Sequence, residues 1–226
     1  MKRKVKWLLG SFSGQRYVEN SRFFYEYLVE NTNEDVLWIT KSNKVYNHLK
    51  SKNYPVEYFY SFKAIIWALR SKVVIRSYSL DDTSIFSLLN INSKIYINLS
   101  HGIPFKQNNN ISFSVLKRII RSIFGIYINS LTTYILAESK NSIIDIKKIY
   151  KPEKIFLAGA PRTDFVLSKK NKNQKKSKTI MYAPTFREYR YNLFDDKSIS
   201  KMNKFLHSLN TKMIVKWHGS DKFNTH

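Results

Sequence analysis

Short apolar runs alternate with amphipathic stretches along most of the chain. Residues 5–10, 36–40, 56–60, 73–76, 95–99, 134–137 and 155–158 are nearly continuous apolar or β-branched runs, the pattern of strands covered on both faces. Between the first two, residues 20–30 set Phe23, Phe24, Tyr27 and Leu28 at helical spacing, and residues 43–52 and 62–70 read as two more helices. Alternation of strand and helix predicts an α/β fold with a parallel, doubly wound sheet. Residues 169–178 break the pattern with six lysines in ten positions and no apolar side chain, as a solvated linker does. Strand, helix and strand then resume at 179–183, 199–209 and 212–217. The expected organisation is a Rossmann-like domain over 1–168, a linker over 169–178, and the start of a second domain over 179–226. One β-α-β unit cannot cover both faces of its own sheet, so the second domain is expected to be incomplete.

Composition narrows the partners. Lys and Arg number 39 against 16 Asp and Glu, a formal charge of +23 over 226 residues. Such a surface attracts polyanions, whether nucleic acid, anionic headgroups or phosphorylated substrates. No helix-turn-helix or RNP-type strand is recognisable, which argues against nucleic acid. There is no cysteine, so disulfides and thiolate metal sites are excluded. The apolar stretch before Gly10 is too short for a signal peptide, and no run of ~18 apolar residues predicts a spanning helix.

Candidate chemistry gathers at strand ends, where α/β enzymes keep their sites. The turn Gly10-Ser11-Phe12-Ser13-Gly14, followed by Glu19-Asn20-Ser21-Arg22, can offer backbone N–H groups to an anion, and can equally be a structural turn. Ser100-His101-Gly102-Ile103-Pro104-Phe105-Lys106 follows a strand. There His101 could serve as a general base, Gly102 could admit substrate close to the backbone, and Lys106 could neutralise phosphate. In Gly159-Ala160-Pro161-Arg162-Thr163-Asp164, Arg162 could clamp a phosphate or pair with an acid at a helix start. Past the linker, Tyr182-Ala183-Pro184-Thr185-Phe186-Arg187 and Lys216-Trp217-His218 close two further strands with basic groups.

In order and spacing these five segments resemble the CDP-glycerol glycerophosphotransferases, which build teichoic acids and related capsule polymers. The family's Trp-His-Gly-Thr-Pro-Leu-Lys loop is matched by residues 100–106, with Ser100 in place of Trp. Its Gly-Tyr-Pro-Arg-Asn-Asp segment is matched by 159–164, with Ala160 and Thr163 as departures. Its Tyr-Ala-Pro-Thr-Trp-Arg and Lys-x-His-Pro strand ends are matched by 182–187 and 216–219, with Gly219 in place of Pro. The resemblance implies a GT-B architecture, with one complete Rossmann-like domain here and the beginning of a second. It implies transfer of glycerol or ribitol phosphate from CDP-glycerol or CDP-ribitol to a hydroxyl of a lipid-linked acceptor, releasing CMP, with no metal or other cofactor required. By the same resemblance His101 and His218 are catalytic. Gly14, Asn20, Arg22, Gly102, Lys106, Arg162, Asp164, Arg187 and Lys216 bind substrate or phosphate.

The family also carries a later acidic, Ser-rich loop for the donor phosphates. Position 226 falls before it, so a C-terminally shortened transferase is expected, and a non-catalytic remnant or a nucleotide-sugar GT-B enzyme are the alternatives. Residues 111–128 set Ser114, Lys117, Arg118, Arg121, Ser122 and Gly125 on one helical face and large apolar residues on the other. Such a helix can lie in a bilayer interface or pack on the sheet. The first option predicts peripheral association with the anionic cytoplasmic face of the membrane; a homo-oligomer is compatible with the sequence.

Overall fold

The computed structural model describes residues 5–77, 80–89, 93–100, 102, 134–149, 152–168, 178–183 and 195–216. The chain divides into two compact units, residues 1–169 and 170–226.

The first unit is built on a seven-stranded sheet of β1 (Lys6–Leu9), β2 (Asp35–Thr40), β3 (Val56–Tyr58), β4 (Val73–Arg76), β5 (Ile95–Asn98), β6 (Tyr134–Ala137) and β7 (Lys154–Leu157). Their spatial order is β3-β2-β1-β4-β5-β6-β7, and all pairs are parallel. The helices are α1 (Glu19–Asn31), α2 (Asn43–Ser51), α3 (Phe62–Arg70), α4 (Lys140–Ile149) and α5 (Pro161–Ser168). The order in which strands are added reverses between β1 and β4, and in such sheets ligands bind in the crevice beyond the carboxyl ends at that point.

Alternation along the central strands divides the core between two faces. Leu9, Val36, Trp38, Val73 and Ile75 point to one side, where Tyr25 and Leu28 of α1 and Leu49 of α2 meet them. Leu8, Leu37 and Ile39 point to the other, against Ala64 and Ala68 of α3. Trp38 is wholly buried, with Tyr17 edge-on at 4.8 Å and Tyr25 tilted at 5.5 Å. Edge-to-face pairs of this kind add about 0.5–1.5 kcal/mol beyond burial. Serine caps start the helices that follow β2 and β3: Ser42 Oγ accepts from Val45 N at 3.4 Å and Ser61 Oγ from Ala64 N at 3.1 Å.

Two elements are absent from the sequence reading. The first is α4, which packs Ile143 and Ile146 on Ile135 and Ala137. The second is a pair of 3-10 turns, Leu80–Asp82 and Ile85–Leu88. Their carbonyls help to enclose a cation. Lys94 is 7% exposed and its Nζ donates to Ala68 O (2.8 Å), Ser87 O (2.8 Å) and Leu89 O (2.9 Å). Burial pulls its pKa down to about 8.

The second unit has β8 (Thr179–Tyr182) paired in parallel with β9 (Lys212–Val215), and α6 (Asp196–Ser208) between them in sequence. Asp195 caps α6, its carboxylate accepting from Ser198 N at 2.7 Å. That cap starts the helix three residues before the 199 expected from apolar spacing. Ile180, Met181 and Ile214 of this two-stranded sheet are each half-exposed or more. Among the described residues no helix is long and apolar enough to cross a membrane, and the amphipathic stretch 111–128 lies outside them.

Lys94 generates a pH prediction. Its lowered pKa means that the unfolded chain holds this proton more tightly than the folded one. The cost of burying the charge is in full force below pH 8 and is relieved as pH rises through the interval up to the ordinary lysine value. Urea unfolding of the wild type and of Lys94→Met, compared across that interval, should show the wild type gaining stability relative to the variant as pH rises.

Candidate active site

Three segments far apart in sequence meet beyond the carboxyl ends of the strands, and their joints are backbone-to-side-chain hydrogen bonds. The turn after β1 closes on Asp82, a wholly buried carboxylate. Its Oδ1 accepts from Ser13 N at 3.0 Å and its Oδ2 from Ser77 N at 3.2 Å. The Ser13 N–H of this turn is therefore already held by an internal carboxylate. Gly10 is required by the same contact, since a Cβ there would lie 1.8 Å from the carbonyl oxygen of Asp82. Gly14 has φ +79° and packs on Phe59; its carbonyl accepts from Thr40 Oγ1 (2.9 Å) and Lys41 N (2.7 Å). Gly14 is buried, and its carbonyl holds the turn.

Asn20, at the second position of α1, has no exposed surface. Its Nδ2 donates to Leu99 O and to Ser100 O, both at 2.9 Å, and its Oδ1 accepts from Arg162 N at 3.3 Å. Next to it, Ser21 N donates to Ser77 Oγ at 2.9 Å and the two hydroxyls are 2.7 Å apart. The start of α1 thus holds the ends of β4 and β5 and the first turn of α5. Stacking of Phe23 on Phe165 at 4.8 Å supports the last of these contacts.

Among the described residues, the two arginines expected on phosphate, Arg22 and Arg162, are paired within the protein. Arg22 Nε bonds Glu26 Oε1 at 3.1 Å, and its guanidinium lies over the rings of Tyr17 and Phe23. Tyr17 O–H donates to the same Glu26 oxygen, and burial drives its phenol well above the usual range. Arg162 meets Glu19 Oε2 at 3.0 Å and stands 3.8 Å from Glu138 Oε1. The Arg162 guanidinium also lies 3.5 Å from where a Cβ on Gly102 would be, which brings the 100–102 loop to the start of α5. Asp164 is exposed one turn along, its Oδ1 3.6 Å from a Cβ built on Gly159.

Backbone strain concentrates at the same edge. Phe12, Ser13, Glu19 and Ser100 have φ between +49° and +65°, and Gly14 and Gly102 are positive as well. A non-glycine residue in this region costs on the order of 1–3 kcal/mol and persists only where its surroundings impose it. The remaining positive values among the described residues, Asn53 and Asn210, sit just past helix ends, where asparagine is common.

In the second unit Lys216 is exposed directly after β9, and its N–H donates to Tyr182 O at 2.9 Å. The two basic motifs of that unit therefore begin at the same edge of its sheet. His101, Lys106, Arg187 and His218 lie outside the described residues. Sequence reasoning missed Glu19, Asp82 and Glu138. Glu138 stands at the end of β6, a position that could have marked it, whereas nothing local marks Asp82 as the partner of Ser13 69 residues away. Among the described residues no group of three His, Asp or Glu is placed to hold a metal ion.

A family model described as CDP-glycerol:poly(glycerophosphate) glycerophosphotransferase matches residues 1–224. Solved structures of the wall teichoic acid polymerase TagF share the fold. One superposes with a TM-score of 0.70 at 18% identity over 96% of this chain and 57% of that one. A histidine-to-alanine form gives 0.68 at 18% identity over 97% and 59%, and a histidine-to-asparagine form soaked with CDPG gives 0.66 at 18% over 95% and 55%. The chain thus spans little more than half the length of these polymerases. No curated protein matches it.

Asp82→Ala removes the acceptor for two buried N–H groups at the switch point. It should cost on the order of 3 kcal/mol, read as a lower urea midpoint with unchanged slope.

Proposed function

The chain belongs to the CDP-glycerol:poly(glycerophosphate) glycerophosphotransferase family, and on that premise we propose that it transfers glycerol phosphate, or ribitol phosphate, from a CDP-polyol to a hydroxyl of a lipid-linked polymer acceptor, releasing CMP. The observation that carries this reading is the meeting of the α1 start, the 100–102 loop and the α5 start at one edge of the sheet, with Asn20 bonded to both loops.

In the reaction the acceptor oxygen attacks the phosphorus that bears the polyol, and its proton passes to His101. The bond from that phosphorus to the bridging oxygen breaks, and CMP leaves with the oxygen and the electron pair. The residues proposed to offset the negative charge on phosphate are Arg187, Lys216 and His218 of the second unit and Lys106 and Arg162 of the first. Arg162 can take this part by exchanging Glu19 or Glu138 for phosphate, since its side chain keeps 36% of its surface exposed. Gly102 and Asp164 border the same loops. Gly14, Asn20 and Arg22 support the reading as holders of the loops. The scheme uses no cofactor. The basic amphipathic stretch 111–128 would keep the enzyme on the anionic cytoplasmic face of the membrane, beside a lipid-borne acceptor.

The test is CMP release from CDP-glycerol in the presence of a lipid-linked acceptor. His101→Ala should lower it by about 10²–10⁴-fold, with the thermal midpoint unmoved. Lys216→Ala should raise the KM for CDP-glycerol. Undiminished turnover in a folded His101→Ala chain would remove the histidine from the mechanism.

A further inference from the structure

At the carboxyl edge of the sheet, on the side of β1, β2 and β3, two cations are held by aromatic rings. The turns that follow those three strands meet there. Lys41, just past β2, donates its N–H to Gly14 O at 2.7 Å, and its Cγ lies 3.3 Å from where a Cβ on Gly14 would be. Its amine stands over the ring of Phe59 at 4.3 Å and 5.6 Å from the centre of the Tyr60 ring. Arg16, in the turn after β1, sets its guanidinium over the ring of Phe12 at 5.1 Å. Arg16 is exposed and Lys41 half-buried. Neither has a carboxylate partner among the described residues, in contrast to Arg22 and Arg162.

We propose that Arg16 and Lys41 form a subsite for the acceptor chain, holding phosphodiester groups set back from the hydroxyl that reacts. The proposal rests on the reading of the acceptor as an anionic polyol-phosphate polymer. The charge of this patch is available to a ligand, because an aromatic ring holds a cation in place without cancelling it, as a carboxylate would. The position of the patch calls for an extended ligand. β2 stands three places from β5 in the sheet, about 14 Å away at the usual strand spacing. A single phosphate cannot touch Lys41 and also reach the end of β5, where Asn20 holds Leu99 O and Ser100 O, whereas a chain of phosphodiesters can. The rings are already engaged. Phe59 is 7% exposed and carries Lys41, Tyr60 meets Phe59 edge-on at 5.0 Å, and Phe12 carries Arg16. They serve as supports for the cations more than as platforms for bases, which favours a polyol phosphate over a single-stranded nucleic acid.

The test is binding of a short, lipid-free, fluorescently labelled glycerol phosphate oligomer to the full chain, read by anisotropy over a range of salt. Arg16→Gln and Lys41→Gln should each weaken binding about fivefold, the scale of one cation at a polyanionic surface, and should flatten its salt dependence. Lys41→Arg should bind as the wild type does. Lys154 is the control. Its amine also lies over a ring, that of Phe156 at 5.4 Å, but at the start of β7 and so on the opposite edge of the sheet. Lys154→Gln should leave binding unchanged. Equal weakening by Lys154→Gln would reduce the effect to net charge and overturn the proposal, as would wild-type affinity in both glutamine variants. A single-stranded DNA of equal charge that binds more tightly, and weakens at the same two positions, would overturn it in favour of nucleic acid. In turnover the same variants should raise the KM for a polymeric acceptor and leave that for CDP-glycerol alone; the reverse pattern would place them on the donor and sink the idea. A wild type that binds the oligomer through Arg16 and Lys41 yet releases no CMP counts against the transferase reading alone. A chain that releases CMP while both variants keep full oligomer binding loses the subsite and keeps the transferase.

Discussion

A parallel sheet covered on both faces leaves its polar backbone groups nowhere to go except along its own ladder and beyond its strand ends. In β2 and β4 no side chain beyond Asp35 reaches solvent appreciably, so the central strands contribute packing and little else. Polar satisfaction is pushed to the carboxyl edge, where loops must turn sharply and still find partners for their N–H and C=O groups. Two buried side chains answer that demand: the Asp82 carboxylate between the ends of β1 and β4, and the Asn20 amide between the ends of β5 and β7. The positive φ values nearby record how tight the turns are.

The electrostatics of that edge differ from those of the whole chain. The protein carries +23, yet at the carboxyl edge of the first unit Arg162 stands between Glu19 and Glu138, and Arg22 is occupied by Glu26. At that edge both guanidinium groups already have carboxylate partners.

The fold was readable because each of its signals is local. Parallel strands appear as apolar runs, and the runs at 36–40, 73–76 and 134–137 coincide with β2, β4 and β6 within one residue. The helix α4 escaped because its apolar residues, Ile143, Ile144, Ile146 and Ile149, are set among lysines, serine and aspartate. The site was readable in part. Motif loops could be placed at strand ends, and Gly102 and Arg162 do stand together. What could not be read is who partners whom. Arg162 and Glu19 are 143 positions apart, and no periodicity in either segment announces the pairing. For the same reason nothing in the motif announces that Asn20 bonds Leu99 O, Ser100 O and Arg162 N.

The span of the Asn20 contacts has a consequence for how the chain acquires its structure. Its partners lie 79, 80 and 142 positions downstream. During synthesis the β1–α1–β2 segment emerges first and can collapse through Trp38 and Tyr25, but the amide at the start of α1 stays unsatisfied until β5 arrives, and keeps a free acceptor until α5 does. Contacts of such long separation are slow to form, so the edge that Asn20 ties together is the last part of the first unit to mature. Until β5 pairs with β4, that strand keeps an unpaired edge, the feature that makes folding intermediates prone to aggregate.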